Sequence, residues 1–375
     1  MQRILFSLVS LVPSPLAVLA MEQALAATVG DHATAGATTT RKSRRVPILC
    51  TADYEEISCL GAGGFGDVVM ARHRATGEAV AIKRLRSADG RNGELLREAR
   101  FLDACCKSGH PFLVGYHGLA RDRATGELCL VMEYVGPSLR DYLRGRRSRG
   151  SPPLPEATVR AVMWQLLAGA QSMHDVHRVV HRDIKPANIL VGADHRVVKI
   201  CDLGLAVSMA EQPPYARAGT LPYMAPEVRQ GRQQDSDLLV VGDTWSLGCV
   251  MAELIAGRPL FEGSEEMGQF CAIFNVLDVP GNGRHSRLRK LFPAKKLSKE
   301  GFEALKGLLA YNPNKRLTAI AALKLPWFAK VTALKLPQEE DEATTAPLPA
   351  PEKKRLKIAP PPLLKRLLRH KVVGA

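Results

Sequence analysis

The chain has 375 residues, 46% of them hydrophobic and 24% charged. That is enough apolar material for one folded domain with tails, and it excludes a wholly disordered or collagenous chain. Much of the net charge of +15 lies in the two ends, which speaks for basic address or docking tails more than for a nucleic-acid groove. Eight cysteines carry no CxxC pair and no metal spacing, and read as reduced thiols with packing roles.

Residues 1–45 differ from the rest. Ile4 to Met21 carries no charge and follows Arg3. Four readings stay open: a signal peptide with Ala24-Leu25-Ala26 as cleavage site, a membrane span interrupted by Pro13 and Pro15, a translated leader or gene-model extension ahead of a start at Met21, or a transit peptide. A Thr/Ala/Gly-rich linker then leads to the basic cluster Arg41–Arg45, a solvated linker or a nuclear-import signal. The expected address is the nucleus or cytoplasm, with secretory targeting left open by the leader. No stable membrane insertion is expected.

The first folded stretch begins near Tyr54. Leu60-Gly61-Ala62-Gly63-Gly64-Phe65-Gly66 runs on to Val68, with β-type residues on both sides. Its glycines let the backbone turn tightly and bring amide groups close to phosphate oxygens. A dinucleotide-binding fingerprint would open into a helix instead. After a turn at Ala75–Gly77, EAVAIKRL reads as a strand with Ala81 and Lys83 on one face. In GELLREARFLDACC, Leu95, Ala99, Leu102 and Cys106 form a helical stripe, and Glu98 points toward it. A charge there needs a partner, and Lys83 is the expected one.

HPFLVGYHG and ELCLVMEYV read as strands, and the basic stretch Arg144–Pro153 as a solvated surface turn. PEATVRAVMWQLLAGAQSMHDVH is an amphipathic helix, with Val159, Val162, Leu166, Ala170 and Met173 on one stripe. It runs up to HRDIKPANIL. There Asp183, Lys185 and Asn188 stand within six residues: an acid that can accept a hydroxyl proton, a cation that can neutralise a phosphate, and an amide that can hold a metal. NILV and VVKI read as a short hairpin leading to Asp202-Leu203-Gly204. GTLPYMAPE follows, then the apolar helix DTWSLGCVMAELIAG and the closing stretch NPNKRLTA.

Taken together these motifs resemble the protein kinases, in order and in spacing, over residues 54–328. The resemblance implies an α+β, two-lobed fold with a small β-rich N-lobe and a larger helical C-lobe. It implies ATP and Mg as cofactors and protein Ser/Thr hydroxyls as substrates, the Lys in Asp-Ile-Lys-Pro being of the serine/threonine type. It gives roles by position. Asp183, Lys185 and Thr220 are catalytic. Asn188 and Asp202 hold the metal. The glycine-rich residues Leu60 to Gly66, with Val68, Ala81, Lys83, Glu98 and Leu190, surround the nucleotide. Met132 stands beside the adenine, and Glu133 to Val135 form the hinge. Thr220 is expected to bond near Asp183 and Lys185, Glu227 to pair with Arg316, and Asp243 to hold the catalytic-loop backbone. A pseudokinase scaffold is the alternative, although no metal or base residue is missing.

EEMGQFCAIFNVLDVPGN and LLAYNPNKRLTAIAALKLPWF resemble the cyclin-dependent-kinase-like group, and more particularly its plant F type. Three departures stand out. GRNGELLRE precedes Glu98 where that group carries a PSTAIRE-like segment, which argues against a cyclin partner through this helix. Leu203 replaces the usual phenylalanine. Met224 replaces an arginine of proline-directed kinases. The group gathers three arginines around a phosphothreonine; here Arg97 and Arg182 are kept, the third position is Val207, and Tyr215 takes the threonine's place. The expected activating phosphate is therefore on Tyr215, with Glu211 as an acid that would serve without modification. Residues 329–375, with the acidic run Glu339–Glu342 and the basic clusters Lys353–Lys357 and Lys365–Lys371, read as a disordered basic tail.

Overall fold

Val80 and Ile82 face one side of their strand and Ala81 and Lys83 the other, and this alternation builds the N-lobe. The computed structural model describes residues 48–63, 66–84, 92–211, 217–231, 236–262, 266–277 and 287–338. Strands β1 (Leu49–Cys50), β2 (Tyr54–Gly63), β3 (Gly66–His73), β4 (Ala79–Arg84), β5 (Tyr116–Arg121) and β6 (Leu128–Glu133) form one sheet in the order β1-β5-β6-β4-β3-β2. All neighbours are antiparallel except β1 with β5. Val80, Ile82, Ala71, Ala120 and Val131 close one face with Tyr54. The other face looks into a cleft. The β2–β3 hairpin carries two register shifts, at Glu56/Ser58 and Cys59/Gly61, and such irregularities bend and twist a strand pair locally.

Helix α1 (Asn92–Cys106) packs on this sheet through Leu95, Ala99 and Leu102, all buried. The C-lobe is helical: α2 (Leu139–Ser148), α3 (Glu156–Gln171), α4 (Pro226–Arg229), α5 (Ser236–Ala256), α6 (Glu266–Val276), α7 (Leu288–Leu291), α8 (Lys299–Leu308) and α9 (Ala319–Leu323). Helices α3 and α5 are largely buried and pack on each other, and Trp245 of α5 stacks on Phe261 with ring centroids 5.6 Å apart. Helix α5 is long and apolar enough to cross a membrane, yet 94% of its apolar window is buried inside the protein. The hairpin β8–β9 (Ile189–Val191, Val198–Ile200) and the antiparallel pair β7–β10 (Val179–Val180, Val207–Ser208) frame the catalytic stretch. The fold is the α+β, two-lobed arrangement that the sequence implies.

Four expectations are corrected. The strand read over HPFLVGYHG starts only at Tyr116. Phe112 to Val114 form a buried loop that takes its backbone bonds from β9, with Val114 N donating to Ile200 O and Ile200 N to Phe112 O. The basic stretch from Arg144 is helical as far as Ser148, and Arg146 is buried and donates to Pro152 O. Helix α2 starts at Leu139 because Ser138 caps it, accepting from Asp141 N, and its arginines and leucines are good helix formers that carry it through Arg144. The tail is not unstructured from Ala329 on: Leu334 and Leu336 are buried, Leu336 N bonds His195 O, and Tyr142 OH donates to Pro337 O. All eight cysteines are unpaired as expected, but Cys59 is exposed rather than packed.

Candidate active site

Lys83 sits in mid-sheet, opposite Val68 on one side and Leu130 on the other. Its ammonium is buried and donates to both Glu98 oxygens at 2.8 and 2.9 Å and to Asp202 Oδ1 at 2.7 Å. Burial alone would push Lys83 down; the two carboxylates outweigh it and hold the amine above its usual range. Burial pushes the Glu98 carboxyl up against the pull of Lys83. Burial works the same way on Asp202, but the charge and hydrogen bond of Lys83 keep that carboxyl low.

The catalytic loop is held by a buried frame. Asp243, at the core of α5, accepts from His181 N through Oδ2 and from Arg182 N through Oδ1, both at 2.8 Å, and pairs with His174 Nε2 at 2.9 Å. Burial raises the Asp243 carboxyl, yet His174 and these donors bring it below the ordinary aspartate value. The bonds fix Arg182 at φ 68, a left-handed conformation rare for a side-chain-bearing residue. Asp202 has φ 66. Two such residues at one centre are strain that only a rigid surround maintains. His181 is fully buried; its Nδ1 accepts from Asp183 N, so its Nε2 carries the proton given to Cys201 O. Leu203 is buried, so leucine keeps the apolar slot.

In this frame Asp183 Oδ1 accepts from Thr220 Oγ1 at 2.7 Å. Lys185 Nζ donates to Asp183 Oδ2 at 2.7 Å and to Thr220 Oγ1 at 2.8 Å. Asn188 Nδ2 donates to Asp183 O at 3.0 Å, which leaves the Asn188 amide oxygen as the atom for a cation. Asp183, Lys185 and Thr220 are thus joined to one another and to Asn188 by hydrogen bonds, while Asp202 bonds Lys83 and lines the same cleft as Asn188.

The cleft above them has a volume of ≈480 Å³. Leu60, Gly61, Gly66, Val68, Ala81, Lys83, Glu98, Met132, Glu133, Val135, Asn188, Leu190 and Asp202 line it, as expected. Ala62 and Gly63 continue β2 opposite Asp67 and Gly66; Gly64, Phe65 and Tyr215 lie outside the described residues. The Glu133 carboxylate turns away from a nucleotide role: it accepts from Lys199 Nζ at 2.8 Å and from Gly115 N at 2.9 Å, tying the hinge to β9. Its contribution to the cleft is backbone.

Sequence reasoning missed Val114, Ser138, Asp141 and Cys201, which also line the cleft. The S-x-x-D spacing of Ser138 and Asp141 was the available signal, since it marks a helix start. It missed Gly136 too. That residue has φ +150, and a Cβ there would meet Val191 O at 2.2 Å, so only glycine joins the hinge to the C-lobe.

The stretch Gly219 to Glu227, which resembles the substrate-binding end of a kinase activation segment (Asp202 to Glu227), is tied from below. A Cβ at Gly219 (φ +121) would come within 2.8 Å of Arg182 O. Ser246 Oγ donates to Tyr223 O, Tyr223 OH to Glu253, and buried Arg229 to the carbonyls of Leu221 and Met224. Burial lowers the Arg229 guanidinium to about 10. Met224 is buried beside it. Glu227 and Arg316 meet as expected, Arg316 donating through both terminal nitrogens, one at 2.9 Å.

The family model for the protein kinase domain matches residues 54–328. The chain belongs to the protein kinase family. Within that family its sequence is cyclin-dependent-kinase-like. The kinase is 45% identical over 305 residues to a protein of Oryza sativa subsp. japonica that carries the name cyclin-dependent kinase F-2, covering 74% of this chain and 90% of that protein. It is 36% identical over 302 residues to the cell division control protein 2 homolog 3 of Trypanosoma brucei brucei, covering 74% and 92%. It is 33% identical over 321 residues to the cyclin-dependent kinase G-2 of Oryza sativa subsp. indica, covering 79% of this chain but 44% of that protein.

Proposed function

We propose that this kinase is catalytically active, transferring the γ-phosphate of ATP to protein serine and threonine hydroxyls with magnesium. One observation carries the reading: the Lys83–Glu98 bond and the Asp183–Lys185–Thr220 cluster are assembled together in the chain by itself. A scaffold that had lost catalysis would be under no demand to keep both.

The residues fit the implied group. Asn188 and Asp202 offer oxygen donors at the cleft floor, which suits a small hard cation bound through few protein ligands and phosphate oxygens. Bound there with ATP, magnesium supplies neutralisation of phosphate charge. Lys83, fixed by Glu98, orients the nucleotide. Asp183 takes a hydrogen bond from the acceptor hydroxyl and then its proton. Lys185, already bonded to Asp183, adds a positive charge beside the developing negative one. Thr220 ties the substrate-presenting loop to both. Positioning and charge account for most of the catalysis in such a transfer.

We also propose that no cyclin is required. Glu98 already reaches Lys83, and α1 exposes Glu94 and Arg100. The basic clusters of the two ends support a nuclear or nucleocytoplasmic address. The test of function is magnesium-dependent phosphorylation of serine/threonine peptides by purified protein, with Asp183→Asn as control. Transfer lost in the variant supports the reading; equal signal in both removes it.

A further inference from the structure

Arg97 precedes Glu98 on α1, and its Nη2 donates to Glu211 Oε2 at 2.6 Å. The two residues are 114 positions apart in the chain. Each side chain is 42% exposed, so the contact is open to solvent and to salt. Arg97 is steadied from the other side, its guanidinium lying over the Phe101 ring at 5.6 Å. Glu211 is not on a loose end either. Its amide donates to Ser208 O, and Ala210 N donates to Ser208 Oγ. Ser208 lies in β10, which pairs with β7 through Val207↔Val180 and Ser208↔Val179. The residue after Val180 is His181, the start of the catalytic stretch. Met209 N adds a bond to Arg178 O at the other end of β7.

These contacts form one chain of connection. Lys83 is held by Glu98, and Glu98 is carried by α1. The outer edge of α1 is held by Glu211, and Glu211 is carried by a turn fixed to β7. That strand leads directly into Asp183. We propose that Glu211 is a positioning residue: its carboxylate holds α1 in the catalytic arrangement and makes the kinase active without phosphorylation of its activation segment. The inference rests on the catalytic reading above and adds its regulation. A phosphate placed near a guanidinium orders a segment by charge-assisted bonds. A carboxylate built into the sequence does the same constitutively, with one charge and no writer or eraser enzyme. An anion already stands beside Arg97, so this reading competes with a phosphate on Tyr215, and the experiment decides between them.

The magnitude follows from exposure. An ion pair this open contributes up to about 1 kcal/mol, or about fivefold in an equilibrium. It is also weakened as the screening length falls from ~10 Å at 0.1 M salt to ~3 Å at 1 M. The experiment uses the full chain, treated with phosphatase and shown by intact mass to carry no phosphate. Wild type, Glu211→Gln, Tyr215→Phe and the charge-swapped pair Arg97→Glu with Glu211→Arg are compared. Peptide phosphorylation is measured at low and high salt, and amide hydrogen exchange is measured over Asn92–Cys106.

Phosphate-free wild type and Tyr215→Phe should be equally active. Glu211→Gln should lose about fivefold in kcat/KM, its loss relative to wild type should vanish at high salt, and α1 should exchange faster. The swapped pair should regain activity and protection. Glu211→Gln matching wild type in activity and in exchange would overturn the inference while leaving the catalytic reading intact. So would phosphate-free wild type that stays inert until phosphorylated. If no form transfers phosphate under any condition, the catalytic reading fails, and hydrogen exchange alone still decides whether Glu211 holds α1.

Discussion

The Asp183 carboxylate accepts from three side chains within the site, Thr220, Lys185 and Asn188. Its replacement by asparagine keeps the shape and removes the proton acceptor. The expected result is a fall in kcat of about 10²–10³-fold with little change in melting temperature, since losing one positioned group at such a centre typically costs that much. Lys83→Met has a different expected signature. It leaves Glu98 buried opposite Asp202 without the cation, so nucleotide affinity should fall along with kcat. Asp243 acts on stability instead. Its carboxyl lies below the ordinary value when folded, so the stability it contributes is complete above the unfolded pKa of ~3.9 and is lost as pH falls through the folded value. Asp243→Asn cannot accept from both backbone amides, and leaving one unsatisfied costs about 1–3 kcal/mol. Urea unfolding at pH 7 should show that deficit, and the gap to wild type should narrow below pH 4. A gap that widens on acidification would contradict the assignment.

At the scale of elements, the Glu227–Arg316 pair joins α4 to the segment before α9. Arg316 is wholly buried at its side chain and lies over Trp245 at 5.0 Å. Removing one partner of a buried pair strands the other charge, so Arg316→Ala should destabilise the C-lobe by about 3–5 kcal/mol in chemical unfolding. The motif residues and this pair were legible because their order and spacing resemble the motifs of protein kinases. That resemblance placed Lys83, Glu98, Asp183, Asn188 and Asp202. Elements without such marks were harder. Pro111 to Val114 is apolar enough to read as strand, but its partner is an irregular bond set on β9, which only tertiary packing provides. Gly145-Arg-Arg-Ser has turn-like composition, and the Ser138 cap that starts its helix lies seven residues upstream. Leu334 and Leu336 alternate with polar residues in too short a run to signal burial. Deleting the leucine at 336 should nonetheless cost about 2–5 kcal/mol when replaced by alanine, because it is fully buried against the C-lobe.

For the whole molecule, the described residues run from Ile48 to Gln338, past both ends of the stretch that matches the kinase family. A fragment of residues 48–338 should therefore retain activity and fold cooperatively, and one ending at Lys330 should melt lower. The basic ends carry much of the net charge, so protein begun at Met21 is expected in the nucleus or cytoplasm; quantitative secretion with trimming near Ala26 would contradict that address. The measurement that bears most directly on the account is phosphate transfer from γ-labelled ATP to serine/threonine peptides by purified protein, with no cyclin added, with and without magnesium, beside Asp183→Asn. The account predicts transfer that requires magnesium and is reduced about 10²-fold or more in the variant. Absence of transfer from wild type, or transfer of equal rate from Asp183→Asn, would contradict it.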